Sequence, residues 1–428
     1  MKVLLANTYA NVGGAARATY RIHQGLVRIG VHSRMLVQSN QTDDWRIQST
    51  AHSFFQKAAS RVRPHLDRLP LCCYPHRLPG MWSVGWLRNP VSPILNQADA
   101  DIIHLNWIVD GFVPISEIKR ISRPLVWTLH DMWAFTGGCH YSYDCLRFID
   151  SCGCCPQLGS RSQFDVSRFV WRQKKRFWQD RSIMIVCPSQ WMARLARLSS
   201  VFRDKEIIVI PYGIDTSIYK PLDKNHCREI LGLPADRRII LFGALGLHNR
   251  AKGGHLLQPA IQEFRKMAGD GNGFHVVIFG AGEPRTPTNF GIPTTYAGRF
   301  HDDISLAILY SAADVTVVPS LTDNLPNIVL ESLSCGTPVV AFNIGGMPDM
   351  IEHEVNGYLA EPYQCEDLAR GIFFALCEDK RRRQISAMAR NMVLQNFELE
   401  LIAGRHKALY EQILTKPPSS SPGVIQQF

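Results

Sequence analysis

The chain has no apolar run long enough to cross a membrane. A helical span takes about 20 mostly apolar residues, and no run of even about 18 occurs among the 428 residues. The apolar stretch at residues 3–6 is too short for the core of an export signal and predicts a first strand instead. We therefore expect a cytoplasmic protein.

The sequence also lacks the motifs of two common ligand classes. No recognition-helix, RNA-binding or zinc-finger pattern accompanies its basic residues, so we expect no nucleic-acid partner. The glycines Gly13 and Gly14 follow the first strand, but they are not part of a G-x-G-x-x-G motif. Support for a nicotinamide-dependent dehydrogenase is correspondingly weak.

Positive charge is concentrated in the first half. The net charge is +10 overall, with +13 in residues 1–210 and −3 in residues 211–428. Basic residues interleave with aromatic and aliphatic ones at residues 54–88 and again at 168–181. This mixture suits an anionic membrane surface, such as the inner face of the plasma membrane. A solvated helix whose aromatic residues enter the core has the same pattern.

Buried-strand and helical patterns alternate along most of the chain. With 46% hydrophobic and 20% charged residues, the composition is that of a globular protein, and the length favours two domains. The alternation predicts an α/β fold with two doubly wound domains. The predicted strands fall into two sets, at residues 3–6, 33–37, 101–105, 125–129, 184–187 and 207–210, and at residues 239–243, 275–280, 315–318 and 339–342.

A turn-rich break at residues 211–215 separates the two sets. We therefore assign residues 1–210 to the first domain, with a cysteine-rich insert at 138–160, and residues 211–395 to the second. A helix at 396–415 is expected to cross back to the first domain. The last segment, 416–428, is rich in proline and serine and is expected to be a disordered tail.

Loops of the second domain carry the strongest functional signal. Residues 319–346 place two carboxylates, Asp323 and Glu331, around a helix start at the carboxyl edge of a parallel sheet, where free N–H groups bind phosphates. Alone, this pattern fits a capped helix with an exposed glutamate equally well. Arg250 and Lys252 beside a glycine turn suit a diphosphate leaving group, and Gly280 ends another strand. Together these loops favour a phosphate and ribose site.

Several motifs, taken in order, carry a family resemblance. They are Gly13-Gly14, His130-Asp131, residues 211–215 (PYGID), Lys252-Gly253, Asp323 with Glu331, and residues 335–340 (CGTPVV). In this order they resemble glycosyltransferase family 4, the retaining nucleotide-sugar transferases of GT-B fold, over nearly the whole chain. Residues 127–133 (WTLHDMW), the cysteine-rich insert and residues 322–326 (TDNLP) resemble the exopolysaccharide and colanic-acid type.

The resemblance implies an architecture and an activity. The architecture is two facing Rossmann-like domains with a deep cleft between them. The activity is that of a hexosyltransferase (EC 2.4), which moves a sugar with retention from a nucleotide-diphosphate sugar to a glycan or lipid-linked saccharide in surface polysaccharide biosynthesis. Catalysis in the family requires no cofactor, because the departing diphosphate helps to accept the acceptor's proton. Together with the basic first half, such an acceptor predicts peripheral contact with an anionic membrane.

The resemblance also implies roles for individual residues. It makes His130, Asp323 and Lys252 catalytic and places Asp131 on the acceptor side. The donor-binding residues that it implies are Gly13, Gly14, Arg250, Lys252, Gly280, Asn324, Leu325 and Glu331.

Two positions depart from the family's usual residues. Asp323 stands where a glutamate is usual, and Ala244 stands where an arginine is usual. Aspartate is one methylene shorter, so its contact with the donor would be less direct, and we expect Arg250 to replace the missing cation. These departures keep an inactive donor-binding scaffold open as an alternative. A nucleotide-sugar epimerase is a second alternative, because it shares the GT-B architecture but needs no acceptor.

The insert predicts a metal site. Cys139, Cys145, Cys152 and Cys155 end in C-x-x-C spacing, and four thiolates suit a closed tetrahedral zinc site. Such a zinc would be structural and would brace the acceptor loop. Buried free thiols and disulfides are the alternatives.

Overall fold

The computed structural model describes residues 1–40, 42–243, 250–269, 273–280, 282–284, 286–376 and 378–415. Three features of the sequence analysis lie outside this description. They are the departure at Ala244, the side chain of Arg250 and the predicted tail at 416–428.

The strands of the described residues alternate with helices. In chain order the strands are β1 (Lys2–Tyr9), β2 (His32–Ser39), β3 (Ile47–Ser49), β4 (Ile102–Leu105), β5 (Leu125–Thr128), β6 (Met184–Cys187), β7 (Ile207–Val209), β8 (Arg238–Gly243), β9 (Phe274–Phe279), β10 (Thr294–Gly298), β11 (Val315–Val318), β12 (Val339–Phe342) and β13 (Gly357–Ala360).

The helices of the described residues are α1 (Gly14–Arg28), α2 (Phe54–Asp67), α3 (Ser92–Gln97), α4 (Val166–Trp178), α5 (Gln190–Leu198), α6 (Lys224–Leu231), α7 (Gly254–Ala268), α8 (Asp303–Ala312), α9 (Asn327–Ser334), α10 (Cys365–Leu376), α11 (Asp379–Asn396) and α12 (Leu399–Thr415). None of them is long and apolar enough to span a bilayer.

The chain forms two compact units. Unit 1 comprises Met1–Val186, Ala196–Ile210 and Glu400–Phe428, and unit 2 comprises Cys187–Leu195 and Pro211–Leu399. The segment Cys187–Leu195 therefore belongs to unit 2, whereas the sequence analysis assigned it to the first domain.

Unit 1 is built on a seven-stranded sheet in the order β3-β2-β1-β4-β5-β6-β7. Strand β1 pairs in parallel with both β2 and β4. The core cluster on this sheet includes Leu5 of β1 and Ile102 of β4, together with Ile402 and Tyr410 of α12. The last helix of the chain thus packs into the core of unit 1.

Unit 2 is built on a six-stranded sheet in the order β10-β9-β8-β11-β12-β13. Strand β8 pairs in parallel with both β9 and β11, so the chain changes direction across the sheet at the β8–β11 pair. Its core packs the apolar faces of α7 and α10 against the sheet. At such a switch point the loops after the two strands separate and leave room for a ligand.

The parallel sheets explain why the sequence pattern located most strands. Strands of parallel sheets are covered on both faces and are apolar throughout, as in β11 and β12, which are wholly buried and lie at the predicted residues. The sequence analysis missed β3, β10 and β13, none of which is buried along its whole length. The prediction of two doubly wound α/β units is confirmed.

Candidate functional site

In unit 2, the loops after β8 and β11 bring a cation and a carboxylate together. Lys252 follows β8, and Asp323 follows β11. Lys252 Nζ donates to Asp323 Oδ2 at 2.6 Å. Because the two strands are parallel neighbours, this ion pair lies at the carboxyl edge of the sheet and at its switch point.

A close backbone contact fixes the position of Lys252. Gly253 has a φ of +66°, and a Cβ at this position would overlap the carbonyl oxygen of Pro319. The backbone N–H of Leu321 also donates to the carbonyl of Ala251 at 2.8 Å. The two loops are therefore joined through their backbones, independently of the ion pair.

A second pair of glycines supports the acidic loop. Cβ atoms at Gly345 and Gly346 would overlap the carbonyl oxygens of Asp323 and Asn324 respectively. The N–H of Gly346 donates to the carbonyl of Asp323 at 3.2 Å. The loop after β12 thus holds the backbone of the Asp323 loop from one side, and only glycine permits that approach.

Glu331 is a buried residue. It lies in α9 with 2% exposure, and its Oε2 accepts a hydrogen bond from the hydroxyl of Tyr310 at 2.8 Å. The alternative of an ordinary exposed helix residue is therefore wrong. The alternative of Asp323 as the helix cap is also wrong, because Pro326 occupies that position.

Asn324 and Leu325 are buried beside Asp323. The hydroxyl of Ser189 donates to Asn324 Oδ1 at 2.7 Å. Sequence reasoning missed Ser189 because no local motif connects it with a loop more than a hundred residues away. Gly280 follows β9 with a φ of +91°, and its N–H donates to the carbonyl of Gly298.

In unit 1, His130 follows β5 and is held as a neutral base. Its Nε2 lies 3.1 Å from Asn106 Oδ1 and 3.4 Å from Thr19 Oγ1. The amide of Asn106 is oriented by its own Nδ2, which donates to the carbonyl of His104, so its oxygen faces the histidine. Burial lowers the pKa of His130 to about 4. The ring is therefore neutral at pH 7.

Asp131 is surrounded by donors. Burial would raise the pKa of this carboxyl, but His140 and the hydrogen bonds from Trp133 and Trp107 hold the pKa below its usual range. His140 Nδ1 lies 2.7 Å from Oδ2, and Trp107 Nε1 donates to the same oxygen at 2.8 Å. Asp131 thereby ties the loop after β5 to the cysteine-rich insert.

The paired glycines begin α1. Gly13 caps the helix with a φ of +92°, a backbone conformation that favours glycine. Nearby at the carboxyl edge, Tyr9 stacks on Trp107 with ring centroids 5.9 Å apart. Neither aromatic residue belongs to a motif, and sequence reasoning missed both.

The insert holds its cysteines largely inside unit 1. Cys139, Cys152 and Cys155 are buried, and Cys145 is half-buried. Burial raises the pKa of Cys152 to about 12 and that of Cys155 to about 11. Beside them, burial lowers the pKa of Lys174 to about 7, while the thiols of Cys139 and Cys152 act to raise it.

Comparison with known families agrees with this geometry. A model described as Glycosyltransferase Family 4 matches residues 12–218, and one described as Glycosyl transferases group 1 matches residues 236–378. The chain belongs to the family 4 glycosyltransferases. The first match contains Gly13 and His130, and the second contains Lys252, Asp323 and Glu331.

This family 4 glycosyltransferase has relatives named D-inositol 3-phosphate glycosyltransferase. The relative from Mycobacterium tuberculosis is 29% identical over 304 residues, which is 68% of this chain and 57% of the relative. The relative from Acidothermus cellulolyticus is 28% identical over 276 residues, or 61% of this chain and 56% of the relative. The chain thus spans about half the length of the curated relatives it matches.

Solved structures share the fold of this glycosyltransferase. Sucrose-phosphate synthase from Thermosynechococcus elongatus aligns with a TM-score of 0.68 at 18% identity, covering 96% of this chain and 99% of that one. Anabaena HepE in complex with UDP-glucose aligns with a TM-score of 0.63 at 18% identity, covering 96% and 100%. The GT-B fold that the resemblance implied is therefore confirmed.

Proposed function

We propose that this protein is a retaining glycosyltransferase, which moves a sugar from a nucleotide-diphosphate sugar to a glycan or lipid-linked saccharide in surface polysaccharide biosynthesis. The ion pair between Lys252 and Asp323, held at the switch point of unit 2 above the buried Glu331, carries the proposal. A nucleotide diphosphate needs both a cation for its phosphates and acceptors for its ribose hydroxyls. This edge of the sheet offers both. Support comes also from HepE, which has the same fold and was solved with UDP and with UDP-glucose.

Lys252 acts on the leaving group. As the glycosidic bond to the diphosphate breaks, negative charge grows on the phosphate oxygens, and the ammonium group of Lys252 stabilises it. Arg250, two residues earlier in the chain, is proposed as a second cation that stabilises the diphosphate. The joined backbones at Gly253 and Pro319 hold the loop before substrate arrives, so little reorganisation is needed in the transition state.

Glu331 and the Asp323 loop position the donor. The carboxylate of Glu331, whose Oε2 accepts from Tyr310, is the expected contact for the ribose hydroxyls. Asp323 and Asn324 contact the hydroxyls of the transferred sugar. The hydrogen bond from Ser189 fixes the amide of Asn324, and Gly345 and Gly346 fix the backbone.

His130 contributes a neutral ring close to the reacting sugar. Its Nε2 lies within hydrogen-bond distance of Asn106 Oδ1. A neutral histidine can exchange hydrogen bonds with sugar hydroxyls without placing a positive charge beside the oxocarbenium-like carbon. Asp131, held by His140 and Trp107, orients the loop towards the acceptor.

Exposed residues of α2 suit contact with an anionic membrane, where a lipid-linked acceptor would lie. Phe54 and Phe55 are 80% and 82% exposed, and Lys57 and Arg61 on the same helix are exposed as well. Apolar rings beside cations favour the interface of anionic lipids. In sedimentation with phosphatidylglycerol vesicles, the wild type should bind to the vesicles, and a Phe54→Ser/Phe55→Ser variant should not. Equal binding to phosphatidylcholine vesicles would contradict the proposal.

Release of nucleoside diphosphate tests the activity. The purified chain is incubated with a panel of nucleotide sugars, each with a lipid-linked saccharide fraction, with inositol 3-phosphate, or with no acceptor. We expect acceptor-dependent release with the saccharide fraction and a product whose anomeric configuration, measured by NMR, equals that of the donor. An epimer formed from the donor alone would support the epimerase alternative. Donor binding with no turnover on any acceptor would support an inactive scaffold.

The acceptors of this assay distinguish an inositol phosphate from a lipid-linked saccharide. The names of the relatives specify an inositol phosphate as their acceptor, whereas the basic and aromatic surface of α2 favours a membrane-borne saccharide here. Turnover with inositol 3-phosphate and none with the saccharide fraction would overturn the acceptor proposed for this chain.

A further inference from the structure

A small, partly open cavity lies beside the cysteine-rich insert, and the proposed glycosyl transfer does not use it. Cys139, Cys145, Cys152 and Cys155 all line it, and its volume is about 20 Å³. A space of roughly 10–15 Å³ is enough for one water-sized particle. The cavity therefore has room for a single ion among the four thiols.

Backbone N–H groups lie near two of the sulfur atoms. Those of Gln157 and Leu158 act to lower the pKa of Cys155, and that of Gly137 acts to lower the pKa of Cys152. Residues 152–159 have the pattern C-x-x-C-P-x-x-G, in which Gly159 adopts a φ of +63° and closes the turn. A thiolate accepts hydrogen bonds from such N–H groups more strongly than a neutral thiol, so this turn is suited to charged sulfur.

A buried lysine lies beside these thiols. Lys174 is fully buried in α4 and donates to the carbonyl oxygens of Trp133 and Thr136. Among the ion pairs of the described residues, none includes Lys174. The negative charges that would act on it most strongly are thiolates of Cys139 and Cys152. Thiolates at these positions would favour the ammonium form of Lys174, whose Nζ also lies 3.9 Å from the centre of the Trp133 ring.

We propose that Cys139, Cys145, Cys152 and Cys155 bind one zinc ion as thiolates. Each thiol gives up its proton to solvent on binding. The resulting site carries a net charge of 2−, which the ammonium group of Lys174 partly balances. Zinc prefers four sulfur ligands in a tetrahedron at about 2.3 Å, and the cavity offers four.

Binding requires a movement of side chains. Among the described residues, no three His, Cys, Asp or Glu groups are already arranged to hold a metal, so the thiols must rotate inward onto the ion. An entry route exists, because Cys145 also lines a wide depression open to solvent together with Asp144. Once closed, the site would brace the loop from which His140 contacts Asp131.

Metal analysis tests the proposal without any measurement of activity, so its outcome is separate from that of the proposed transfer reaction. The full chain is purified with reductant, without chelator and with zinc in the medium, and zinc is measured by mass spectrometry. We expect about one zinc per wild-type chain and nearly none in Cys152→Ser or Cys155→Ser. Cys154→Ser is the matched control, because Cys154 lies in the same turn but does not line the cavity. It should keep its zinc.

Cobalt substitution keeps the test decisive if the serine variants fail to fold. Wild-type chain loaded with Co²⁺ should show thiolate-to-cobalt charge-transfer bands and the strong d–d bands of tetrahedral cobalt. Zinc near zero in the wild type, zinc unchanged in Cys152→Ser, or cobalt spectra without thiolate bands would each overturn the proposal.

Discussion

Replacing Lys252 by alanine is the most direct test of the donor site. The lysine is the one cation of the loop after β8 whose side chain the structure describes, and it pairs with Asp323 at 2.6 Å. Its side chain is 37% exposed, and a partly exposed ion pair contributes at most about 1 kcal/mol to stability. The loop also keeps its backbone contacts with Pro319 and Leu321. The variant should therefore fold almost as stably as the wild type.

Its effect on turnover should be much larger. Removing one group that stabilises developing charge raises the barrier by about 3–4 kcal/mol, which lowers kcat by about 100-fold or more. The assay is release of nucleoside diphosphate at saturating donor and acceptor, with the melting temperature measured on the same samples. Lys266→Ala is the control, since it removes the same charge from an exposed pair with Glu263. Wild-type turnover in Lys252→Ala, or equal losses in both variants, would refute the role of Lys252.

Three further predictions follow from residues of the two units. His130→Ala should lower kcat about 100-fold or more with little loss of stability, whereas the exposed His52→Ala should leave kcat unchanged; similar kcat values would contradict the role of the buried ring. Gly253→Ala should destabilise unit 2 by at least about 2 kcal/mol in urea unfolding, because its Cβ meets a carbonyl oxygen. The control, Gly232→Ala, has the same backbone strain but open space around its Cβ. It should destabilise unit 2 by only about 1 kcal/mol. Burial lowers the pKa of His406 to about 3, so the folded chain binds fewer protons than the unfolded one from about pH 6.5 downward. Stability should fall there by up to about 1.4 kcal/mol per pH unit, and His406→Phe should show a shallower loss in thermal unfolding at pH 7 to 5.

Sequence reasoning selected the candidate site residues from local signals. Strands that are apolar throughout and glycines that follow them mark the carboxyl edge of a parallel sheet, and Lys252, Asp323 and His130 all lie just beyond such strands. The burial of Glu331 was not predictable, since its partner Tyr310 belongs to a separate helix with no motif.

The sequence also does not predict which side chains of α4 point into the core. On a helix, the basic and apolar positions of segment 168–181 do not fall on two separate faces. The pattern therefore does not indicate that Lys174 is the basic residue that is buried. That outcome depends on the carbonyl groups of Trp133 and Thr136, which come from the loop after β5. Contacts between distant segments decide it, as they do for Ser189 and Asn324.

The place of α12 bears on how the chain is made. Unit 1 holds the first strand and the last helix, and Tyr410 of that helix hydrogen-bonds to His104 at 2.7 Å inside the core. A ribosome releases residues 211–399 before it releases α12, so unit 2 can complete its core while unit 1 still has part of its sheet uncovered. Domains usually finish folding in the order of synthesis. Here the unit that begins first is expected to finish last, because its core is complete only when α12 has been made.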